Sequence, residues 1–217
     1  MNLEGKAQEK KKIEYLDIYD DEMNLVGSAP RTEVHKNGYW HLAFQCWFIR
    51  KEGDKKYLIF QKRCDSKDTY PKLFDISSAG HLSSGEKIQD GVRELQEELG
   101  VEVKYNDLIP IGIIKQMKEE KEFMDYQFAY LYLYESNIPL KEYSIQKEEI
   151  TALIEMDIES MKGLIDGNIN SIKVCGVSVD EKGENHKAEY NITYKDLVPH
   201  GREYYNKVYE HIVKYYK

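Results

Sequence analysis

Cysteine is scarce in this chain of 217 residues, which has only Cys46, Cys64 and Cys175. Their odd number and wide separation exclude a disulfide framework, and none of them has the spacing of a structural zinc site. No apolar run is long enough to span a bilayer, and residues 1–12 are a polar, lysine-rich lead-in without the apolar core of a secretory signal. We therefore expect no membrane partner and a reduced, cytoplasmic location.

Basic residues are also in the minority, since 31 lysines and arginines face 39 aspartates and glutamates and the formal net charge is −8. A nucleic-acid backbone requires a clustered basic surface, so this balance argues against a nucleic-acid partner. An acidic protein that acts on phosphates needs a metal ion or local lysine and arginine to offset its own field. Hydrophobic residues make up 41% of the chain, which is enough for a packed core.

The most informative stretch of the sequence is 80–101. With a helical period it presents one apolar stripe, formed by Ile88, Val92, Leu95 and Leu99. A second face carries three carboxylates at i, i+3 and i+4, namely Glu94, Glu97 and Glu98. Unpaired carboxylates at this spacing repel one another, and a hard divalent cation such as Mg²⁺ removes the repulsion. The helix is thus predicted to bind a metal ion, and the alternative is a solvated acidic surface, which is common.

The same stretch resembles the signature of the Nudix hydrolases, G-x5-E-x7-R-E-U-x-E-E-x-G-U, in which U is apolar. The fixed positions are filled here by Gly80, Glu86, Arg93, Glu94, Leu95, Glu97, Glu98, Gly100 and Val101. One departure is that six residues separate Glu86 from Arg93, where the signature has seven. We place the missing residue at the entry to the helix, where it affects the role of Glu86 more than the roles of the helix carboxylates.

The resemblance implies the family fold, an α/β (α+β) fold in which a mixed β-sheet is sandwiched between α-helices, here with a C-terminal helix. It also implies a metal-dependent hydrolase that cleaves the diphosphate linkage of a nucleoside diphosphate derivative or related organic pyrophosphate. Catalysis is then assigned to Arg93 and to the three glutamates that follow it, Glu94, Glu97 and Glu98. These glutamates and the Gly80 carbonyl bind Mg²⁺ or Mn²⁺. A non-catalytic binding or regulatory module is the alternative, because some Nudix domains keep the fold and lose turnover.

Residues outside the motif are candidates for supporting roles. Nudix hydrolases often have a further glutamate that orients or deprotonates water, and Glu148 or Glu149 is the candidate for this base, although a glutamate pair in a polar loop is more often surface. Lys62 and Arg63 end a predicted strand and are candidates for phosphate binding, with a plain surface position as the equal alternative. The expected partner is a small diphosphate compound, and homodimers are common in the family.

The amino-terminal half resembles one branch of the family, isopentenyl diphosphate isomerase and its relatives. The shared segments are Tyr-Leu-Asp-Ile-Tyr-Asp at 15–20, Glu-Val-His at 33–35 and Trp-His-Leu-Ala-Phe at 40–44. Those isomerases have a catalytic cysteine immediately before the Gly-His of the Nudix loop, where this chain has Ala79. Alanine can neither donate nor accept a proton, so isomerase activity is disfavoured.

The isomerases also bind a metal ion through histidines that match His35, His41 and His81, together with two carboxylates on a later strand. The matching later positions are Asp125 and Gln127, so one carboxylate is replaced by an amide. Neutral imidazoles here can form part of a second metal site, and His41 and His81 are also candidates for substrate binding. The alternative is that the histidines are hydrogen-bonding groups around the loop.

Hydrophobic alternation predicts the remaining elements. Strands are expected at 41–49, 57–63, 108–115, 123–134 and 151–156, and a short helix at 158–165. Residues 27–31 are predicted to form a loop and residues 117–121 a charged turn. No domain boundary is visible, so we expect one domain over 1–217, in which residues 170–217 add a hairpin and a helix that begins near position 193.

Overall fold

The computed structural model describes residues 13–121 and 123–217, so the predicted lead-in at 1–12 lies outside the described residues. The strands are β1 (Tyr15–Tyr19), β2 (Leu25–Pro30), β3 (His41–Glu52), β4 (Lys55–Arg63), β5 (Phe74–Asp75), β6 (Ser78–His81), β7 (Ile109–Glu120), β8 (Phe123–Glu135), β9 (Ile150–Asp157), β10 (Ile172–Val179) and β11 (Asn185–Ile192). The helices are α1 (Arg31–Asn37), α2 (Arg93–Leu99), α3 (Ile158–Asp166) and α4 (Arg202–Tyr215).

A mixed sheet of nine strands forms the centre of the fold. Its order is β11-β10-β9-β4-β3-β8-β7, with β5 paired to β4 and β6 paired to β3, while β1 and β2 form a separate two-stranded sheet. Strands β3 and β8 are parallel, and the other neighbouring strands are antiparallel. A parallel pair requires a long crossover, and this one contains both β6 and α2. The crossover therefore brings the motif next to the centre of the sheet.

The central strand β3 divides the interior into two cores because its side chains alternate between the two faces of the sheet. Phe44 and Phe48 belong to a core that includes Leu95 of α2. Trp47 belongs to a second core that includes Tyr205 of α4 together with residues of α3. Burial of each large apolar side chain contributes about 1.5–3 kcal/mol to folding. The predicted fold class is confirmed, since helices cover both faces of a mixed sheet.

The motif helix α2 is shorter than the apolar stripe predicts. Residues Ile88–Val92 form a 3₁₀ turn, and the α-helix begins at Arg93. A 3₁₀ turn has fewer residues per turn than an α-helix, and this tighter entry accommodates the shortened spacing of the motif. Gly91 in this turn approaches Phe44 so closely that an added Cβ would lie 2.6 Å from the ring. Gly100 ends α2 with a φ of 70°, which favours glycine.

Two local predictions at the edges of the fold are wrong. Residues 27–31 are not a loop, because β2 continues to Pro30 and α1 begins at Arg31. Proline is compatible with both neighbours, since an edge strand and the start of a helix do not need its missing amide. Residues 117–120 are not a turn, because β7 continues to Glu120, which pairs with Phe123, and only Lys121 of the predicted segment lies in a turn. The charged side chains are tolerated there because β7 is an edge strand.

The carboxyl-terminal segment contains the predicted hairpin and a later helix than predicted. Strands β10 and β11 form the hairpin, which extends the main sheet because β10 also pairs with β9. Residues Tyr194–Asp196 form a 3₁₀ turn, and α4 begins only at Arg202, after Pro199 and Gly201. Within the described residues, no helix has both the length and the apolar character needed to cross a membrane.

Gly176 lies where β10 comes closest to β9. A Cβ added there would lie 2.1 Å from the carbonyl oxygen of Leu153. We predict that Gly176→Ala lowers the free energy of unfolding by about 1–3 kcal/mol, as overpacking of an ordered interior usually does. The matched control is Gly27→Ala in β2, whose Cβ would meet Ile18 at an ordinary 3.8 Å. Urea denaturation measures both, and equal losses would show that β9 and β10 do not depend on this close approach.

Candidate active site

The three carboxylates of α2, Glu94, Glu97 and Glu98, differ in their surroundings, and we refer to them below as the α2 carboxylates. Glu98 is buried and accepts a hydrogen bond from the amide of Ala79 at 3.2 Å. Glu94 packs on Gly80, where an added Cβ would lie 2.1 Å from a Glu94 carboxylate oxygen. Glu97 faces solvent, with 56% of its side chain exposed. Helix α2 thus presses two carboxylates against β6 and leaves the third open.

Burial changes the proton affinity of the two enclosed carboxylates. Burial, together with the nearby charge of Glu98, raises the pKa of Glu94 to about 7. Burial also raises the pKa of Glu98. Arg93 pairs with Glu94, and the Lys67 ammonium acts on Glu98, yet the pKa of both carboxyl groups stays raised, so a divalent cation would further favour their ionised forms. Closely spaced oxygen donors are the ligands that Mg²⁺ and Mn²⁺ prefer, so the residues at this position fit such an ion.

Arg93 connects the separate parts of the motif. Its guanidinium donates to both carboxylate oxygens of Glu86, at 2.8 and 3.0 Å, and pairs with Glu94 at 2.6 Å. It also donates to the backbone carbonyl of His81 at 3.1 Å. The second oxygen of Glu86 accepts the amide of Ser83 at 2.7 Å. The shortened spacing therefore leaves Glu86 paired with Arg93, and this bidentate pair fixes the loop between β6 and α2.

The loop that carries the two candidate bases packs on the carboxyl end of α2. The amide of Gln146 donates to the carbonyl of Glu98 at 3.0 Å. The Glu149 carboxylate forms an ion pair with Lys67, and the Lys67 ammonium is close enough to Glu98 to favour its ionised form. The structure thus links the side chain of Glu149 to the α2 carboxylates, whereas Glu148 approaches through its backbone carbonyl, which accepts the thiol of Cys64.

The two cationic candidates at the end of β4 have different environments. The Lys62 ammonium lies over the rings of Phe74 and Tyr190, at 5.7 and 5.0 Å from their centres, so it belongs with the aromatic residues on the α3 and α4 side of the sheet. Arg63 donates to the Asp75 carboxylate and to the carbonyl of Thr69, both at 3.0 Å. Both cations are held by contacts within the protein.

A second set of candidate ligands meets at the amino-terminal end of β3. His35 of α1, His41 of β3, His81 of β6 and Asp125 of β8 place their ligand atoms within 4.8 Å of one another, and we call this group the histidine cluster. The Nε2 atom of His41 lies 3.3 Å from Oδ1 of Asp125. The Nε2 atoms of His35 and His81 each lie 3.8 Å from the same oxygen. The fold therefore brings together four residues from four different elements.

The histidine cluster has the properties of a metal site. Three buried polar atoms of the cluster lack a hydrogen-bond partner among the described residues: Nε2 of His35, Nε2 of His41 and Oδ1 of Asp125. Such atoms are rare because burial removes their hydrogen bonds to water without replacing them, which destabilises the folded state. Burial lowers the pKa of His35 to about 4 and also lowers the pKa of His81, so these imidazoles are neutral, the form that binds metals. Three imidazoles and one carboxylate fit Zn²⁺, Fe²⁺ or Mn²⁺ better than Mg²⁺.

A buried glutamine network, formed by Gln45, Gln116 and Gln127, lies next to the histidine cluster. The side-chain amide of Gln127 donates to the second oxygen of Asp125 at 2.8 Å. The amide of Gln45 donates to Gln116 at 2.8 Å and to Gln127 at 3.4 Å. Gln127, which occupies a position where the isomerases have a carboxylate, thus orients Asp125 through the oxygen that does not face the histidines.

The glutamine network extends to the carboxyl-terminal segment. The Tyr204 hydroxyl of α4 donates to Gln45 at 2.9 Å. The amide of Gln116 lies 3.2 Å from Nδ1 of His200, whose Nε2 lies 2.6 Å from the carboxylate of Asp75. Sequence reasoning missed this network and also Lys67. The available signal was the presence of polar residues such as Gln45 inside runs that otherwise predict buried strands.

Comparisons with known proteins place the chain among its relatives. No model of a protein family matches the sequence. The chain is 43% identical over 195 residues to a Nudix hydrolase of Clostridium acetobutylicum, a match that covers 90% of this chain and 95% of the relative. It is 36% identical over 86 residues to an isopentenyl-diphosphate Delta-isomerase of Mycolicibacterium vanbaalenii, which covers 39% of this chain and 46% of that enzyme.

A solved structure supports the fold. A protein of Deinococcus radiodurans superposes with a TM-score of 0.54 at 20% identity, over 71% of this chain and 90% of that one. The match to the clostridial relative extends over nearly the whole of both chains, far beyond the motif itself. The chain therefore belongs to the Nudix hydrolase family.

Proposed function

We propose that the protein hydrolyses the diphosphate linkage of a nucleoside diphosphate derivative or a related organic pyrophosphate, with Mg²⁺ or Mn²⁺ bound by the α2 carboxylates. The observation that supports this most directly is the enclosed pair Glu94 and Glu98, pressed against β6 where only glycine fits at position 80. Such a pair is unfavourable by itself and becomes favourable beside a divalent cation. Membership in the Nudix hydrolase family agrees with this proposal.

Each residue of the motif has a distinct task in the proposed reaction. When bound, a divalent ion neutralises charge on the phosphoryl oxygens and lowers the pKa of coordinated water. Glu94, Glu97 and Glu98 would bind it, with the Gly80 carbonyl as a further ligand. Arg93 holds Glu94 in place and is itself held by Glu86. The protein's part is thus mainly positioning and charge neutralisation, as is usual for phosphoryl transfer.

Glu149 is the better candidate for the base that accepts a proton from the attacking water. A general base must have its carboxylate near the reacting atoms in a fixed orientation. The ion pair with Lys67 fixes Glu149, and Lys67 in turn faces Glu98. Removal of this carboxylate is therefore expected to lower turnover more than removal of the carboxylate of Glu148.

The surroundings of Ala79 do not support isomerase chemistry. Ala79 pairs with Gln45 across β3 and β6. Gln45 donates to Gln127, whose amide in turn donates to Asp125. Isomerisation needs one group that protonates carbon and another that removes a proton. Neither alanine nor a glutamine amide exchanges a proton with carbon near neutral pH. Hydrolysis uses none of these side chains as an acid or base.

The first experiment is a substrate panel of nucleotide sugars, dinucleotides, coenzymes and prenyl diphosphates, incubated with Mg²⁺ or Mn²⁺. We predict hydrolysis of at least one compound at its diphosphate linkage, detected by chromatography of the products. Isopentenyl diphosphate in the panel tests isomerase activity, which we expect to be absent. Tight binding without product under either metal would support the non-catalytic module instead.

Glu98→Gln tests the metal-binding role in a form that keeps the size of the side chain. We predict a loss of kcat of about 100-fold or more, because removal of about 3 kcal/mol of transition-state stabilisation has that effect. The matched control is Glu102→Gln, an exposed glutamate just beyond α2. Steady-state kinetics measures both variants, and a Glu98→Gln enzyme with the activity of the control would exclude this role for Glu98.

We further propose that the histidine cluster binds a transition metal. Asp125→Asn keeps the shape of the side chain and removes the one anionic ligand. We predict that the purified wild type retains about one equivalent of Zn²⁺ or Mn²⁺ after dialysis and that the variant loses at least about tenfold in metal affinity. Inductively coupled plasma mass spectrometry measures the content, with Asp107→Asn as an exposed control. Equal metal content in the wild type and in Asp125→Asn would contradict the assignment.

A further inference from the structure

Lys118 stands beside the histidine cluster without belonging to it. It lies on β7 directly opposite Asp125 of β8 in the antiparallel register. Directly opposed residues point to the same face of a sheet, with Cβ atoms about 4.5–5.5 Å apart. The half-buried side chain of Lys118 therefore shares a face with the carboxylate towards which the three histidines point.

The Lys118 ammonium lies over an aromatic ring and forms no ion pair with a described residue. Its Nζ atom lies 5.3 Å from the centre of the Tyr70 ring. Within the described part of the chain, it makes no hydrogen bond or ion pair, although a lysine drawn away from solvent is usually paired. The carboxylates of Asp75, Asp125 and Glu120 act on the pKa of Lys118 from beyond ion-pair distance. Asp75 is already bound to Arg63 and His200, and one oxygen of Asp125 is bound to Gln127.

Three other cations near the site already have carboxylate partners. Lys67 pairs with Glu149, and Arg63 pairs with Asp75. The Arg93 guanidinium is taken up by Glu86 and Glu94. Lys118 is thus, among the described residues of this region, a cation that remains available to an anionic ligand. In a protein with a net charge of −8, a free cation at this position favours an anionic substrate locally.

Strand β6 lies between the α2 carboxylates on one side of the sheet and Lys118 on the other. Successive side chains of a strand point to opposite faces. Gly80 faces Glu94 of α2, and the next residue, His81, faces Asp125 and hence the side of the sheet on which Lys118 lies. A diphosphate consists of two linked anionic groups, so one of them can contact an ion held by carboxylates while the other contacts a separate cation.

We propose that Lys118 is a substrate-binding residue whose ammonium pairs with a phosphoryl oxygen of the diphosphate, on the histidine-cluster side of β6. This assignment rests on the proposed hydrolysis of a diphosphate. Lysine serves here as a compact point charge, which suits a phosphoryl group whose position shifts during the reaction.

Lys118→Met and Lys118→Arg test the assignment together. Methionine keeps the apolar stem over Tyr70 and removes the charge, whereas arginine keeps the charge. We expect Lys118→Met to raise KM about 10–100-fold, the usual loss for a hydrogen bond to a charged group, with little change in kcat. Lys118→Arg is expected to stay within a few-fold of the wild type. Lys187→Met on the distant edge strand β11 is the matched control.

A second readout does not require turnover. Isothermal titration calorimetry with methylenediphosphonate, a non-hydrolysable diphosphate, measures binding in the presence of Mg²⁺, and urea denaturation shows that each variant is folded. We expect Lys118→Met to lose about 10–100-fold in affinity while the Lys187→Met control binds as the wild type does. Equal affinity of wild type and Lys118→Met, or no binding by the wild type, overturns the assignment. Binding that depends on Lys118 without hydrolysis of any panel compound would reject the proposed function and uphold this site.

Discussion

The close approach of β6 to α2 is the constraint on which both halves of the site depend. At Gly80 there is no room for a side chain between the strand and the Glu94 carboxylate. The neighbouring amide of Ala79 donates to Glu98, and the guanidinium of Arg93 reaches back to the carbonyl of His81. These three contacts hold the strand and the helix in one register. Because His81 is part of the same short strand, the contacts that fix the α2 carboxylates also fix one corner of the histidine cluster.

The two candidate metal positions differ in their chemistry although they share a strand. The α2 carboxylates offer oxygen donors close to solvent at Glu97, which suits an ion that keeps several waters and binds phosphate. The histidine cluster offers mainly nitrogen donors and is almost fully buried, which suits an ion that exchanges slowly and holds the structure together. The Arg93 contact to the carbonyl of His81 lies between them. The two positions therefore differ in the ligand type and geometry by which proteins discriminate between metals.

Much of this arrangement follows from the sequence, and the remainder depends on contacts between distant segments. The helical spacing of Glu94, Glu97 and Glu98 and the glycine at position 80 are local signals, so the motif could be placed without a structure. Helix α1 could not be placed in this way. Pro30 indicates a break in regular secondary structure, although β2 in fact passes directly into α1 at this residue. The ion pair between Lys67 and Glu149 joins segments that no periodicity relates. The side of the sheet that Lys62 faces could not be derived either, since strand alternation gives the face of a residue only when the partner strands are known. The glutamine network is likewise a product of three strands that meet only in the folded sheet.

The carboxyl-terminal helix has a role that reaches beyond covering the sheet. Tyr204 of α4 sits between the indole of Trp47, which donates to its hydroxyl, and the amide of Gln45, which accepts from it. Each hydrogen bond in this series orients the next side-chain amide. Gln45 donates to Gln127, and Gln127 donates to Asp125, where the series ends. The orientation of the Asp125 carboxylate therefore depends on the position of α4. A fusion partner that displaced α4 would therefore reorient these buried amides and change the orientation of Asp125 without contacting it.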